Sequence, residues 1–326
     1  MIRAGGLELK NPLCLAPMAG VTTAAMREFF ALHGAGLTHT EMISCAGLVR
    51  DNAKTFDMLA LSEHESSVIV QLFGNDDALV RDGAEVIMNR GVKFSAFGVN
   101  MACPMPKITR NGSGSALMKK PDVAAKMVSG LKTLGLPVWV KIRKFENASD
   151  TLGFAEMLAE AGADNVCIHG RTPAQRYEGV ADRKIIAEAA KRFPGLIAAS
   201  GDVKTLADIE EYSACGCAVV MLARGALGNP FMFEEYEGRF RTQEEKLAEL
   251  VKFAYRAREI SGEHRAVVLM KRFAGSVLKF AHGSAELRRL AMQADNLSDM
   301  LDTLKQGVNV QCGNTTNFTL RESAQG

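Results

Sequence analysis

No charge-free apolar run in this 326-residue sequence approaches the roughly 20 residues that cross a bilayer, so no membrane helix is expected. The opening residues, MIRAGGLELK, carry no long apolar core of the kind that directs secretion. Cysteine is sparse and scattered: seven residues, at 14, 45, 103, 167, 215, 217 and 312, six of them in or beside apolar segments. An odd number spread through a large chain argues against a disulfide framework and for a reducing compartment, and a cytoplasmic protein is expected. Cys215-Gly216-Cys217 has no second pair nearby to complete a zinc or iron–sulfur site, so both thiols read as packing and no metal is expected. Charge of one sign is lacking too. The 39 Lys and Arg against 37 Asp and Glu leave +2, which does not by itself announce a nucleic-acid partner. No G-x-G-x-x-G follows a strand-like run, so a Rossmann dinucleotide site is without support.

What is present is repetition. Short apolar runs recur at 12–16, 37–41, 67–73, 94–99, 137–142, 165–169, 195–200 and 218–222. Helix-like stretches lie between them, such as 77–91, 122–135, 151–163 and 204–216, each ending in or near a glycine that suits a helix C-terminus. Near-continuous apolar strands alternating with helices predict a parallel sheet, and eight units in about 240 residues predict a (β/α)8 barrel, the TIM barrel, over residues 1–240. A doubly wound open sheet is the alternative. After Phe231 the strands stop. Residues 243–260, 265–280 and 284–306 read as three helices of a smaller all-helical domain, 241–326, ending in a polar, loosely ordered tail from 307.

A barrel of this kind holds its chemistry at the C-terminal ends of its strands. Those ends read Ala16-Pro17-Met18, Glu41, Gln71, Asn100 with Cys103, Lys141 with Arg143, His169-Gly170-Arg171-Thr172, Ser200-Gly201-Asp202 and Ala223-Arg224-Gly225. One polar strand end is ordinarily a satisfied structural group, but eight on one rim are hard to assign to folding. Loops after strands seven and eight are the usual phosphate site of such barrels, so Ser200, Gly201, Asp202, Ala223 and Arg224 read as an anion cradle, with two ordinary turns as the plainer reading. A phosphate there would suit a phosphorylated cofactor across the mouth, with Lys141 stabilising negative charge on a reduced flavin. Cys103 has two readings: a small packed hydrophobe, or a reactive thiol held by Pro104 and Pro106 in front of a glycine-rich loop. Residues 251–290 concentrate nine basic against three acidic side chains, which reads either as solvated helix faces or as a phosphate-attracting surface.

LAPMAGVT (15–22), TEM (40–42), QLFG (71–74), GVNMACPMPKITRNGSGSALM (98–118), VKI (140–142), HGRT (169–172) and ARGALGNPFMF (223–233) resemble the motifs of the tRNA-dihydrouridine synthases, and 285–301 resembles that family's helical region. The resemblance implies FMN on the barrel, NADPH as reductant and uridine in folded RNA as substrate. It matches Cys103 to the catalytic cysteine, Ala16, Pro17 and Met18 to the strip beside the flavin, and Gln71, Lys141 and His169 to flavin contacts. Positions 200–202 and 223–224 match the phosphate loops, and Asn100 and Arg171 match residues facing the base. Tyr177 falls in a loop that would meet RNA, and Lys271 and Arg272 would add RNA affinity. Four positions depart from the family pattern: Ser200 stands for Asn, Ala223 for Gly, Thr23 for Asp and Arg183 for Trp. A monomer is expected, tRNA is the expected partner, and ribosomal RNA stays open.

Reducing a uracil C5–C6 bond needs hydride at C6 and a proton at C5. The acid must be neutral beforehand, which suits a thiol, a group with a usual pKa of about 8.5. Two other readings stand beside this one: a dihydroorotate dehydrogenase-like flavoenzyme acting on a free pyrimidine, and an inactive RNA-binding relative.

Overall fold

The structure, a computed structural model, describes residues 1–279 and 283–312, with side chains to 307. Its residues fall into two compact units, 1–226 with 232–237, and 227–231 with those from 238 onward.

The first unit opens with a hairpin of β1 (Ile2–Ala4) and β2 (Leu7–Leu9), then β3 (Leu13–Leu15), β4 (Thr38–His39), β5 (Ile43–Ser44), β6 (Val68–Phe73), β7 (Ala96–Met101), β8 (Val138–Arg143), β9 (Asn165–His169), β10 (Ile197–Ser200) and β11 (Val219–Leu222). Between them run α1 (Ala24–Leu32), α2 (Cys45–Val49), α3 (Ala53–Asp57), α4 (Asp77–Asn89), α5 (Pro106–Thr109), a 3-10 turn at Gly114–Lys119, α6 (Pro121–Lys132), α7 (Ala148–Glu160), α8 (Arg183–Arg192) and α9 (Leu206–Ala214). The short α10 (Arg224–Gly228) and α11 (Met232–Tyr236) follow β11. The parallel strands run in the order β3-β11-β10-β9-β8-β7-β6-β4. A bridge from Cys14 to Leu37 closes the ring, with Leu15 N donating to Leu37 O at 2.8 Å. Closure selects the (β/α)8 barrel over the open sheet.

Side chains alternate across a strand, so Trp139, Lys141 and Arg143 of β8 share a face. Register sets Trp139 level with Gly98 and Asn165, Lys141 with Asn100 and Cys167, and Arg143 with His169. The lower layer is apolar: Leu37, Ile69, Ala96, Trp139, Ala198 and Val219 pack with Ala4 and Leu9 of the hairpin. The hairpin thus floors the barrel and leaves the opposite end as the mouth. Its turn is Gly5-Gly6, with φ of 54° and 76°, and the Trp139 indole N–H donates to Gly5 O at 2.8 Å. A Cβ at Gly5 would lie 2.5 Å from the indole, so this position needs glycine on two counts.

The second expected strand, 37–41, forms only over Thr38–His39. Beyond it the Thr40 hydroxyl accepts from Gln71 N at 3.0 Å and donates to Glu41 O at 2.8 Å. A side chain stands in for the ladder there, and the chain turns to pair again at β5.

The second unit contains α12 (Gln243–Ser261), α13 (Glu263–Val277), α14 (Ser284–Gln293) and α15 (Leu297–Cys312). Thr242 and Glu245 form a reciprocal capping box at the start of α12. The expected single helix over 284–306 is two, because Ala294 leaves the helical region (ψ 129°) and Asn296 Oδ1 accepts from Asp299 N at 2.9 Å to cap the next helix. Helix α15 continues past 306 to Cys312, and the remainder of the expected polar tail, 313–326, lies outside the described residues, as does residue 280, the last of the expected helix 265–280. No described helix is long and apolar enough to cross a membrane.

Candidate active site

Cys103 follows β7 and is half-buried, whereas Cys14, Cys45, Cys167 and Cys217 are buried. Asn100, at the end of β7, positions it. The Asn100 amide nitrogen donates to Gln71 Oε1 at 3.0 Å, and its Oδ1 accepts from Ala102 N at 3.3 Å and Cys103 N at 3.0 Å. Ser115 N then donates to Cys103 O at 3.0 Å. Gly114, at φ 61°, makes that approach possible, since a Cβ would lie 2.7 Å from Cys103 O. Asn100 and Gln71 are therefore brought together as a brace for the cysteine loop.

Arg143 joins that loop to the next. Its Nε donates to Ala102 O at 2.8 Å and its Nη1 to Thr172 O at 3.0 Å and Arg176 O at 2.7 Å. Its guanidinium also lies 5.7 Å from the Tyr177 ring centre, and that of Arg224 lies 4.9 Å away. Tyr177 is 56% exposed, an aromatic face on the rim flanked by two cations. The sequence put Arg143 at a strand end but gave no hint that it would tie two loops.

Lys141 and His169 project at the mouth. Lys141 Nζ donates to Ser200 Oγ at 3.1 Å and lies 3.8 Å from Cys167 Sγ. Burial pushes the Lys141 ammonium below its usual range, an effect Cys167 opposes and Arg143 reinforces. Ser200 thus turns its hydroxyl into the barrel toward Lys141, and Ala223 packs against the core. Burial, then Lys141 and three arginines, lowers the His169 pKa to about 2. The ring is neutral at physiological pH, and its Nδ1 accepts from Arg171 N at 3.2 Å. The proton therefore sits on Nε2, making His169 a fixed hydrogen-bond donor. Beneath, His39 Nδ1 meets Cys14 Sγ at 3.2 Å, and burial followed by Lys141 lowers the His39 pKa to about 3. On the first loop, Glu41 accepts from Gly20 N, and the Thr22 hydroxyl accepts from Met18 N at 3.1 Å. These contacts shape the stretch that follows Ala16, Pro17 and Met18.

The loops after β10 and β11 form a cradle. Gly201 and Asp202 both have positive φ, 122° and 51°. The Asp202 carboxylate accepts from Ala181 N at 2.9 Å and Arg171 Nη2 at 2.7 Å, and Arg224 Nη2 lies 3.7 Å from its other oxygen. Partial burial opposes ionisation, yet these donors hold the carboxyl below its usual range. Arg171 spends its Nε on Glu178 O at 2.9 Å and its Nη2 on Gly179 O at 2.7 Å as well as on Asp202, leaving its buried Nη1 without a partner. The backbone N–H groups of Asp202, Val203, Arg224 and Gly225 donate to no described protein acceptor. Unspent amides beside an arginine suit an anion. Lys271 (half-buried) and Arg272 (exposed) lie on α13 of the helical unit.

A family model described as dihydrouridine synthase matches residues 14–312. A probable tRNA-dihydrouridine synthase of Treponema pallidum is 32% identical over 326 residues, covering 93% of this chain and 95% of that protein. One from Aquifex aeolicus is 30% identical over 306 residues, covering 91% and 96%. tRNA-dihydrouridine synthase B of Pasteurella multocida is 32% identical over 243 residues, 72% of each. Among solved structures, that of morphinone reductase in complex with tetrahydroNAD matches with a TM-score of 0.54 over 72% of this chain and 89% of that one. At 13% identity this is a likeness of fold alone.

Proposed function

The chain belongs to the dihydrouridine synthase family, and from that premise we propose that it uses FMN and NADPH to reduce the C5–C6 double bond of particular uridines in folded RNA, tRNA above all, with Cys103 giving the proton. The observation that carries this reading is the half-buried Cys103, its backbone N–H held by Asn100, on the same rim as the unspent amides of the β10 and β11 loops. FMN fits those residues. Its phosphate would take the amides of 202–203 and 224–225 with Arg224, and its ring would meet Ala16, Pro17, Met18, Gln71, Lys141 and His169. Bound there and reduced by NADPH, the cofactor supplies hydride. The chain's own part is to hold the uracil and protonate it. The target base must leave its stack to reach the mouth. Cys103 then delivers the proton to C5, and Lys141 places a hydrogen-bond donor beside the ring, where negative charge would favour its protonated form against the pull of burial. His169, neutral with its proton on Nε2, donates a hydrogen bond without competing for the proton.

Denaturing the purified yellow protein should release about one FMN per chain, as the single cradle implies. Recovery of FAD alone, or of no flavin after reconstitution, would overturn the cofactor assignment. Nucleotide-resolution mapping of dihydrouridine in RNA from cells with and without the gene should show the loss of a defined tRNA position. An unchanged map would overturn the substrate.

The helical unit enters through its charge, since residues 251–290 hold nine basic and three acidic side chains. Folded RNA is read by shape and backbone, for which scattered cations suffice. Reversing Lys271 and Arg272 to Glu should weaken RNA binding about tenfold at moderate salt and flatten its salt dependence by roughly two charges. Flavin content should stay normal. Unchanged binding would move the RNA surface elsewhere.

A further inference from the structure

Tyr212 lies on α9, is 1% exposed, and has no place in the chemistry described so far. Its hydroxyl donates to Gly201 O at 3.0 Å. That carbonyl belongs to the same peptide unit as Asp202 N–H, one of the unspent donors of the cradle. A trans peptide is planar, with its C=O and N–H pointing in opposite directions, and no described peptide is cis. Fixing Gly201 O toward the helix therefore fixes Asp202 N–H away from it, toward the open side of the loop. This peptide needs a tether, because it joins two residues at φ 122° and 51°, the second of them not glycine.

The tether is itself held. The Arg183 guanidinium lies 5.3 Å from the Tyr212 ring centre and is fixed by ion pairs with Asp208 and Glu211. Asp208 is anchored in turn, its Oδ2 accepting from Lys204 N and Thr205 N at 2.8 Å each and from Thr205 Oγ1 at 2.9 Å. Arg183 Nη2 also reaches Asp202 O at 3.5 Å, the carbonyl paired through its peptide with Val203 N–H, the next unspent donor.

We infer that Tyr212, supported by Arg183, is a positioning residue for phosphate recognition: by holding the Gly201 carbonyl it aims the Asp202 amide at the cofactor's phosphate and so makes the site prefer FMN to riboflavin. The inference rests on the FMN reading above. Tyr212 does not touch the cofactor and acts only through the peptide it orients.

The test is fluorescence titration of flavin-free full-length protein with FMN and with riboflavin, which lacks the phosphate. Tyr212→Phe keeps the ring and removes one hydrogen bond, so FMN affinity should fall about tenfold while riboflavin affinity is unchanged. Arg183→Gln, at a partly exposed position, should give a smaller loss, again confined to FMN. Equal losses for both flavins, or wild-type FMN affinity in Tyr212→Phe, would overturn the inference and leave the cofactor assignment standing. A wild-type protein that binds FMN no better than riboflavin would overturn both.

Discussion

Replacing Cys103 by alanine should slow oxygen-free reoxidation of the reduced enzyme by unmodified tRNA about 10²–10⁴-fold, the usual worth of a general acid. Flavin content and reduction by NADPH should be unchanged, since neither uses the thiol. The backbone argues that the substitution is clean. Cys103 N is held by Asn100 Oδ1 and Cys103 O by Ser115 N, and neither bond involves the sulfur. The loop should therefore keep its course with alanine in place. Serine should be nearly as poor, because a hydroxyl is a much weaker acid than a thiol. A cysteine that merely packs would lose only a little stability on becoming alanine. Stopped-flow spectroscopy separates the cases: reoxidation of Cys103→Ala at the wild-type rate would show that the proton comes from elsewhere.

The barrel was legible because each strand is a short apolar run and each following helix has its own period. Both signals come from burial, and burial is what closes the ring. The floor hairpin was not legible. Its strands are three residues each, too short for a period, and only the fit of Gly5 under Trp139 makes the turn meaningful. The split of the second strand was hidden for a different reason. Thr40 looks like any strand threonine until Gln71 N, from a strand distant in sequence, is seen to donate to its hydroxyl. The break at 294–296 was hidden because Ala294 and Asp295 do not interrupt an amphipathic pattern, and Asn296 acts as a cap only once Asp299 N has turned toward it.

In the site, the sequence indicated which strand ends carry polar groups but not how those groups divide their bonds. Asn100 and Arg171, expected to face the base, spend most of their hydrogen-bonding capacity inside the protein. Asn100 binds Gln71 and the cysteine loop, and Arg171 binds Asp202 and two carbonyls. Arg143 and Tyr212 act through backbone carbonyls, and a sequence has no symbol for a carbonyl held in place. Tyr212 reads as one more apolar position on α9 until its hydroxyl is found at Gly201 O.

The same lesson gives the second large effect. Substituting Gly225 by alanine should raise the FMN dissociation constant about 10–100-fold, taking roughly 1–3 kcal/mol for forced overpacking at a site whose neighbours are backbone. A Cβ at Gly225 would lie 2.0 Å from Val203 O, 3.0 Å from Val203 C and 3.2 Å from Lys204 Cα. None of these atoms can swing aside as a flexible side chain would. The strain must be relieved by parting the loop after β10 from the start of α10, the two segments whose unspent amides converge. The strands beneath are held by their own ladder, Ala198 level with Val219 and Ser200 level with Met221, so the barrel should survive while the cradle opens. Gly228 provides the control. It ends the same short helix, a Cβ there would meet nothing within 4 Å, and Gly228→Ala should leave affinity unchanged. Fluorescence titration of flavin-free protein measures both variants. If Gly225→Ala binds FMN as tightly as wild type, the phosphate is not held between these two loops, and the placement of the cofactor across the barrel mouth fails with it.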